Sequence, residues 1–274
     1  MKRGLHVSVI IYIMMLIIAL FALIPFLWTI LSSFKFDADV FRASFFPENP
    51  TLRNYVAVFT DARLMQFFLN TVQISFFSTI ASIVVAVLGA YGFSRYKFPG
   101  RNVLLYSILF TRVLPRVTLL IPFFVILTRL NLINTISGLV LVYLIIGMPV
   151  SIWLLKGYID NIPYEIEEAA LIDGCGPFRT LTQVVIPIIA PAVAAIGMFA
   201  FILSWNEFLF PRVLTTVPDV RPISVGLAFL YSDVNVRWGM LMAASVVMSV
   251  PAIFAFGFAQ KYIVKGLSEG AVKG

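Results

Sequence analysis

Residues 7–31 form one apolar run without a single charged side chain. Such a run has few options, because a bilayer core about 30 Å thick is crossed by roughly 20 apolar residues in a helix. Five further runs follow at residues 67–93, 103–127, 136–155, 188–210 and 239–262. They are continuous rather than alternating, which excludes a closed β-barrel. Composition removes the soluble alternatives. The chain is 61% hydrophobic and 12% charged, against about 45–50% and 25% in soluble domains. Too few polar residues remain to cover a water-soluble globule, so a cytosolic enzyme, a disordered chain and a coiled coil are excluded. The fold predicted is all-α, a polytopic membrane protein of six transmembrane helices.

The first run follows Lys2 and Arg3, and Ala19–Ala22 vaguely resembles a cleavage site. Its length far exceeds the 7–15 apolar residues of a signal peptide, so it reads as a retained anchor. Six spans put both termini on one side, taken as the cytoplasm. The loop 94–102 then crowds Arg95, Lys97 and Arg101 on that side, as the positive-inside tendency favours. On this reading residues 1–6 are a cytoplasmic N-terminus, 7–262 the six-helix membrane domain, and 263–274 a cytoplasmic tail. Residues 32–66 and 211–237 lie outside the cell. The net charge of +7 is scattered between apolar runs, which suits membrane anchoring rather than nucleic acid.

Several chemistries lack the residues they need. Cys175 is the one cysteine and His6 the one histidine, so no internal disulfide and no His-rich metal site can be assembled. There is no Gly-x-x-x-x-Gly-Lys-Ser/Thr loop to cradle phosphates. The chain is not expected to be an enzyme, and energy for any active process must come from another polypeptide.

The most polar cytoplasmic stretch is the loop 158–187. Pro163 suits a first helical turn, and Glu165, Glu167 and Glu168 sit near the positive end of its dipole. Gly174 is placed to end that helix in a left-handed conformation, and Pro177 restarts a second helix that runs to Pro187. Ile162, Ile166, Ala169, Ala170 and Asp173 share one face at helical spacing. That face has the look of a knob for another protein's cleft, although periodicity alone favours a solvated interfacial hairpin.

The order Glu168-Ala169-Ala170, three residues, Gly174, nine residues, Val184-Val185-Ile186-Pro187 resembles the Glu-Ala-Ala loop of ABC importer permeases. Ser204-Trp205-Asn206-Glu207-Phe208 looks like the family's Trp-Asn-Asp/Glu-Phe segment. Arg221-Pro-Ile-Ser-Val-Gly-Leu, Trp238-Gly239, Met242-Ala243-Ala244, Val250-Pro251 and the tail from Gln260 to Gly274 are similar to carbohydrate permeases of the maltose-transporter, MalG-like type. The resemblance covers nearly the whole chain. It implies a binding-protein-dependent importer in which this chain and a second, larger permease form the pathway. Two ATPase subunits, which bind ATP and Mg, would drive it, and an extracytoplasmic binding protein would deliver the substrate. Glu168, Ala169, Ala170, Asp173, Gly174 and Pro187 would couple to the ATPases, and Val272, Lys273 and Gly274 would contact them through the tail.

Two rival readings have their own signatures. A secondary transporter would usually carry intramembrane acids, yet the runs contain no Asp and Glu207 lies near an external end. A permease for amino acids, peptides or phosphate would share the Glu-Ala-Ala loop but not the Trp238-Gly239 and C-terminal segments.

Arg112 and Arg116 sit inside the third run, where the family usually has apolar or small residues. Spaced i, i+4, they are expected on one helix face near midplane, and an arginine there costs at least about 2.5 kcal/mol. They could be structural, with one paired to Glu207 or to the partner permease, or capping carbonyls freed by Pro115. They could instead line the passage and attract an anionic sugar. Arg112, Arg116, Trp205, Asn206 and Glu207 are the candidate pathway residues. Gly89, Gly92, Gly138, Gly147 and Gly197 are small enough to let helices approach.

Overall fold

The computed structural model describes residues 5–231 and 236–271, and every regular element among them is helical. The tail residues Val272, Lys273 and Gly274 lie outside the described residues. Four helices are long and apolar enough to cross a membrane: α1 (Leu5–Ser33), α3 (Ala62–Arg95), α6 (Ile136–Asp160) and α12 (Trp238–Ala271). They coincide with the first, second, fourth and sixth apolar runs. The short α2 (Arg53–Thr60) precedes α3.

The other two runs depart from simple spans. Residues 103–127 do not make one helix. α4 (Arg101–Phe110) stops, the chain turns through residues 111–115, and one 3-10 turn (Arg116–Leu119) leads into α5 (Leu120–Arg129). Helices α4 and α5 have 10 residues each, about 15 Å at 1.5 Å per residue, half of a bilayer core. Pro115 is the physical cause. It has no N–H to donate and disfavours a helical residue before it, and its own ψ of 128° is extended.

The fifth run is bent. After α7 (Tyr164–Ile172), helix α8 (Pro177–Ile188) meets α9 (Ala190–Trp205) at 83°. Pro191 cannot donate to the Pro187 carbonyl, so the ladder breaks where the chain turns. Counted as one bent span, the pair brings the total to five. Of the six expected spans, the third is therefore divided into two short helices and the fifth is bent. Within α8, residues Leu181–Val185 form a π turn, with the Ile186 N–H reaching back to the Leu181 carbonyl. Two short helices, α10 (Leu209–Leu214) and α11 (Ile223–Tyr231), complete the described elements before α12.

The chain divides into two compact units, Met1–Met65 with Gly226–Val250, and Gln66–Val225 with Pro251–Gly274. In the first, no residue from 9 to 31 is buried, whereas Ser32, Ser33 and Lys35 just beyond are. Asn54 donates to the Ser33 and Lys35 carbonyls, each at 2.8 Å. Lys35 Nζ donates to the Ser44 carbonyl at 2.5 Å and lies 4.7 Å from the Trp28 ring.

In the second unit, α3 is apolar on the wrong side for a soluble protein. Its buried stripe runs through Thr71, Ser75, Ser78, Ser82, Ala86 and Ala90, while Phe76, Phe77, Ile80, Val84 and Leu88 point outward. Small residues along much of the inner face, beside buried Ile74 and Val87, with large apolar ones outside, are what a lipid solvent selects. Close packing follows: a Cβ on Gly197 of α9 would stand 2.8 Å from Ile83 Cδ1 of α3. One core joins Ala86, Ala90, Ile152, Leu155, Ile159, Leu181, Val185 and Ile196, tying α3, α6, α8 and α9 together. A second core joins Ile74, Leu127, Leu139, Val142, Tyr143, Phe210 and Leu214. The first core carries the polar hairpin and the second flanks the broken helix.

Candidate functional site

The hairpin begins where α6 ends. Pro163 stands immediately before α7, leaving Glu165 and Glu167 in the first turn. Glu167 and Ala170 turn inward and are buried, as is Ile162. The face expected to carry Ile162, Ile166, Ala169, Ala170 and Asp173 is therefore split. Ile166, Ala169 and Asp173 face out, together with Glu168, and Ile162 and Ala170 face in.

Glu167 is held by the end of α3. Arg95 Nε meets Glu167 Oε1 at 2.6 Å, with the two side chains 8% and 6% exposed. Tyr91 donates its hydroxyl to Glu167 Oε2 at 3.0 Å. Arg95 Nη2 donates to the Ile162 carbonyl at 3.0 Å, and its guanidinium lies 5.1 Å from the Tyr164 ring. Nearby, Ser94 and Lys156 both donate to Asp160, at 2.6 and 2.5 Å. Burying charges is tolerable only when each is paired and hydrogen-bonded, and here both partners are. Sequence reasoning missed this pair. Arg95 was read as a cytoplasmic anchor and Glu167 as one of three acids at a helix start. The available signal was helical phase, since Glu167 shares a face with Ala170 three residues on.

Gly174 has a φ of +81°, the left-handed conformation expected of it. The Cys175 N–H bonds the Ala170 carbonyl at 2.9 Å and the Gly174 N–H bonds that of Leu171 at 3.1 Å, the paired closure of a Schellman motif. No atom lies within 4 Å of a Cβ built at Gly174, so the backbone, and not space, asks for glycine there. The outward side of the hairpin is apolar as well as acidic: Leu171, Ile172 and Phe178 are exposed, Ile172 by 86%. Pro187 lies beyond the π turn in α8, away from Glu168 in sequence and next to the bend.

The second site lies at the broken helix. A cavity of about 240 Å³ is lined by Ile108, Arg112, Arg116, Phe123, Ile146 and Phe210, among others. Arg112 belongs to the turn after α4 and Arg116 opens the 3-10 turn, so the expected i, i+4 helical spacing does not exist. The break brings both side chains to one cavity instead. Arg116 Nη2 pairs with Glu207 Oε2, with Arg116 44% exposed and Glu207 only 6%. The other oxygen of Glu207 accepts the Leu209 and Phe210 N–H groups, at 3.0 and 3.4 Å, at the start of α10. Arg112 Nη1 donates to the Ile146 carbonyl at 3.3 Å.

The remaining pathway candidates do not join them. Trp205 is 1% exposed, packed edge-on against Phe68 and stacked on Phe201 at 5.3 Å. Asn206 is exposed and donates to the Ile202 carbonyl one turn back. Of the candidate glycines, Gly89 and Gly197 are crowded by Ile152 and Ile83, whereas Gly92 has nothing within 4 Å.

Comparison with known proteins gives the chain its family. Residues 78–269 match the family described as the binding-protein-dependent transport system inner membrane component. The chain is 35% identical to the sulfoquinovosyl glycerol transport system permease protein SmoH of Agrobacterium fabrum, over 92% of this chain and 89% of that one. It is 34% identical to the trehalose/maltose transport system permease protein MalG of Thermococcus litoralis, over 94% of each. Among solved structures, a bacterial ABC transporter involved in the import of the acidic polysaccharide alginate aligns with a TM-score of 0.83 and 26% identity. That alignment covers 93% of this chain and 95% of the other.

Proposed function

Since the chain belongs to the family of binding-protein-dependent transport system inner membrane components, we propose that it is one of two permeases in an importer of a carbohydrate or carbohydrate derivative. The substrates in the names of its relatives, sulfoquinovosyl glycerol, trehalose or maltose, and alginate, are all of that class. A second permease completes the pathway. Two ATPase subunits bind ATP and Mg and supply the energy, and an extracytoplasmic binding protein supplies the sugar. Both termini and the loops 94–102 and 158–187 are cytoplasmic on this reading.

One observation carries the proposal: a short helix, rigidly attached to the body by a buried ion pair, presents an exposed acidic and apolar surface. Glu168, Ala169, Asp173, Leu171 and Ile172 enter a cleft on an ATPase, and Glu168 meets a cationic or hydrogen-bonding group there. Closure of the ATPase pair pulls on α7. Because Glu167 ties α7 to Arg95, the pull reaches α3 as a tilt of the whole helix rather than a local bend. The π turn and the bend at Ile189 let α8 follow while α9 keeps its packing. Gly174, at the end of α7, fixes the angle at which the knob is offered, and Pro187 lets α8 turn away from it. Alternating access to the cavity beside α4 and α5 follows from these tilts.

Two measurements test the reading. With the partner subunits co-expressed, the chain should co-purify with the ATPases and support ATP-dependent sugar uptake in proteoliposomes, and transport without any ATPase would replace it with a secondary carrier. In a Cys175→Ser background, Ser44→Cys should label from outside intact spheroplasts. Labelling only after permeabilisation would reverse the orientation.

A further inference from the structure

The two arginines at the broken helix are not equivalent. Arg116 is neutralised by Glu207, whose second oxygen is fixed by two backbone N–H groups. Arg112 has no carboxylate partner among the described residues. Its hydrogen bond there goes to the Ile146 carbonyl at 3.3 Å, from one of five N–H donors on a guanidinium. Carbonyl contact satisfies a donor but leaves the charge. The walls around it, Ile108, Ile146, Met148 and Phe123, are apolar, so little else screens that charge. Arg112 is exposed at the edge of this apolar-walled cavity, in the turn between α4 and α5; a charge at membrane depth has to face a cavity or a partner, and an anion entering the cavity supplies that partner.

We propose that Arg112 is the anion-recognising residue of the passage, and that the imported carbohydrate carries a carboxylate, sulfonate or phosphate group. The inference rests on the importer reading above and narrows its substrate class. An oxyanion of any of these three types presents two oxygens to the guanidinium in parallel, which is the strong, bidentate form of the contact. The volume of about 240 Å³ admits one charged sugar unit at a time. Glu207 contributes by cancelling Arg116, so the cavity carries one net positive charge instead of two. A singly charged group is attracted and then released rather than trapped. The break at Pro115 is what makes this possible, because it turns Arg112 toward α6 instead of leaving it on the outer face of a straight helix.

The test uses the complete transporter, with both permeases, the ATPases and the binding protein, in proteoliposomes. The panel is maltose and cellobiose as neutral sugars, digalacturonate as a carboxylate, methyl sulfoquinovoside as a sulfonate and glucose 6-phosphate as a phosphate. At least one anionic member should be taken up in an ATP-dependent manner and preferred over the neutral ones, and the preferred member identifies the anionic group. Arg112→Gln should lower the ratio of anionic to neutral uptake by ten-fold or more. Arg112→Lys, which keeps the charge but loses the fork, should lower it by less. Exclusive uptake of the neutral sugars, or an unchanged ratio in Arg112→Gln, would overturn the inference and leave the importer reading standing. Failure of both variants to assemble with the second permease would also overturn it, making Arg112 an interface residue. No ATP-dependent uptake of any member would remove the carbohydrate reading and this inference with it.

Discussion

Two arginine–glutamate pairs join distant parts of the second unit, and they are built to opposite designs. At the hairpin, Arg95 and Glu167 are both nearly inaccessible, and Tyr91, Ile162 and Tyr164 take up the remaining atoms of the pair. At the broken helix, Glu207 is just as buried, but Arg116 is 44% exposed, pairs with Glu207 and lies 5.6 Å from the Phe210 ring. The first pair is closed on all sides and can carry force without rearranging. The second is closed on the acid's side alone, so the base remains open to the cavity. A buried pair that is complete acts as a fastener, and one left half open sets the charge of a cavity.

The largest effect should come from breaking the closed pair. Arg95→Met leaves Glu167 buried without its cation, a loss of about 3–5 kcal/mol for a buried pair. Thermal unfolding of the purified complex should fall sharply, and uptake should be lost. The double variant Arg95→Met with Glu167→Leu should recover much of the stability but not the uptake. Recovery of both would mean that the pair holds the fold and transmits nothing.

Glu207→Gln should cost less, about 1.5–3 kcal/mol, the value of a hydrogen bond to a charged group, because water in the cavity can solvate Arg116. It should raise the affinity of the cavity for anions, read as a lower KM and a slower release. A stability loss as large as that of Arg95→Met would erase the contrast between the two pairs.

At the end of α7, Gly174→Val should cost about 1–2 kcal/mol, the penalty of a left-handed backbone for a residue with a Cβ. Gly174→Asn should cost less, since asparagine tolerates that region. Uptake per ATP hydrolysed should drop for valine and hold for asparagine, and equal coupling in both would show that the angle of the knob is irrelevant. The smallest stability change belongs to Glu168→Ala, within about 0.5 kcal/mol for an exposed site. Its effect should appear only as weaker retention of the ATPases in pull-down, and undiminished retention would move the contact elsewhere on the hairpin.

Much of this architecture is written in the order of residues. Hydropathy located the helices that became α1, α3, α6 and α12, and proline and glycine located the ends of α7. The pairing of an arginine with Glu207 was among the expectations, and the structure selects Arg116. Other features were hidden for a physical reason. Hydropathy reports which solvent a segment prefers, not whether its backbone is continuous, so residues 103–127 read as one helix although Pro115 divides them. The Arg95–Glu167 pair spans 72 residues, and nothing local to either side chain announces the other. Trp205 shows the converse: a segment resembling the family's was read as pathway, yet the bulk of the indole makes it core.

The break at Pro115 also has a consequence in time. Glu207 follows Arg116 by 91 residues, which at about 5–20 residues per second of synthesis is a wait of roughly 5–20 s. During that wait neither α4 nor α5 can cross the bilayer alone, and Arg116 has no counter-charge. Segment 101–129 must therefore linger beside the translocon or at the interface and settle only once α9 and α10 have arrived. Membrane insertion of this chain should therefore run out of register with its synthesis, with the middle of the polypeptide completed after its later parts.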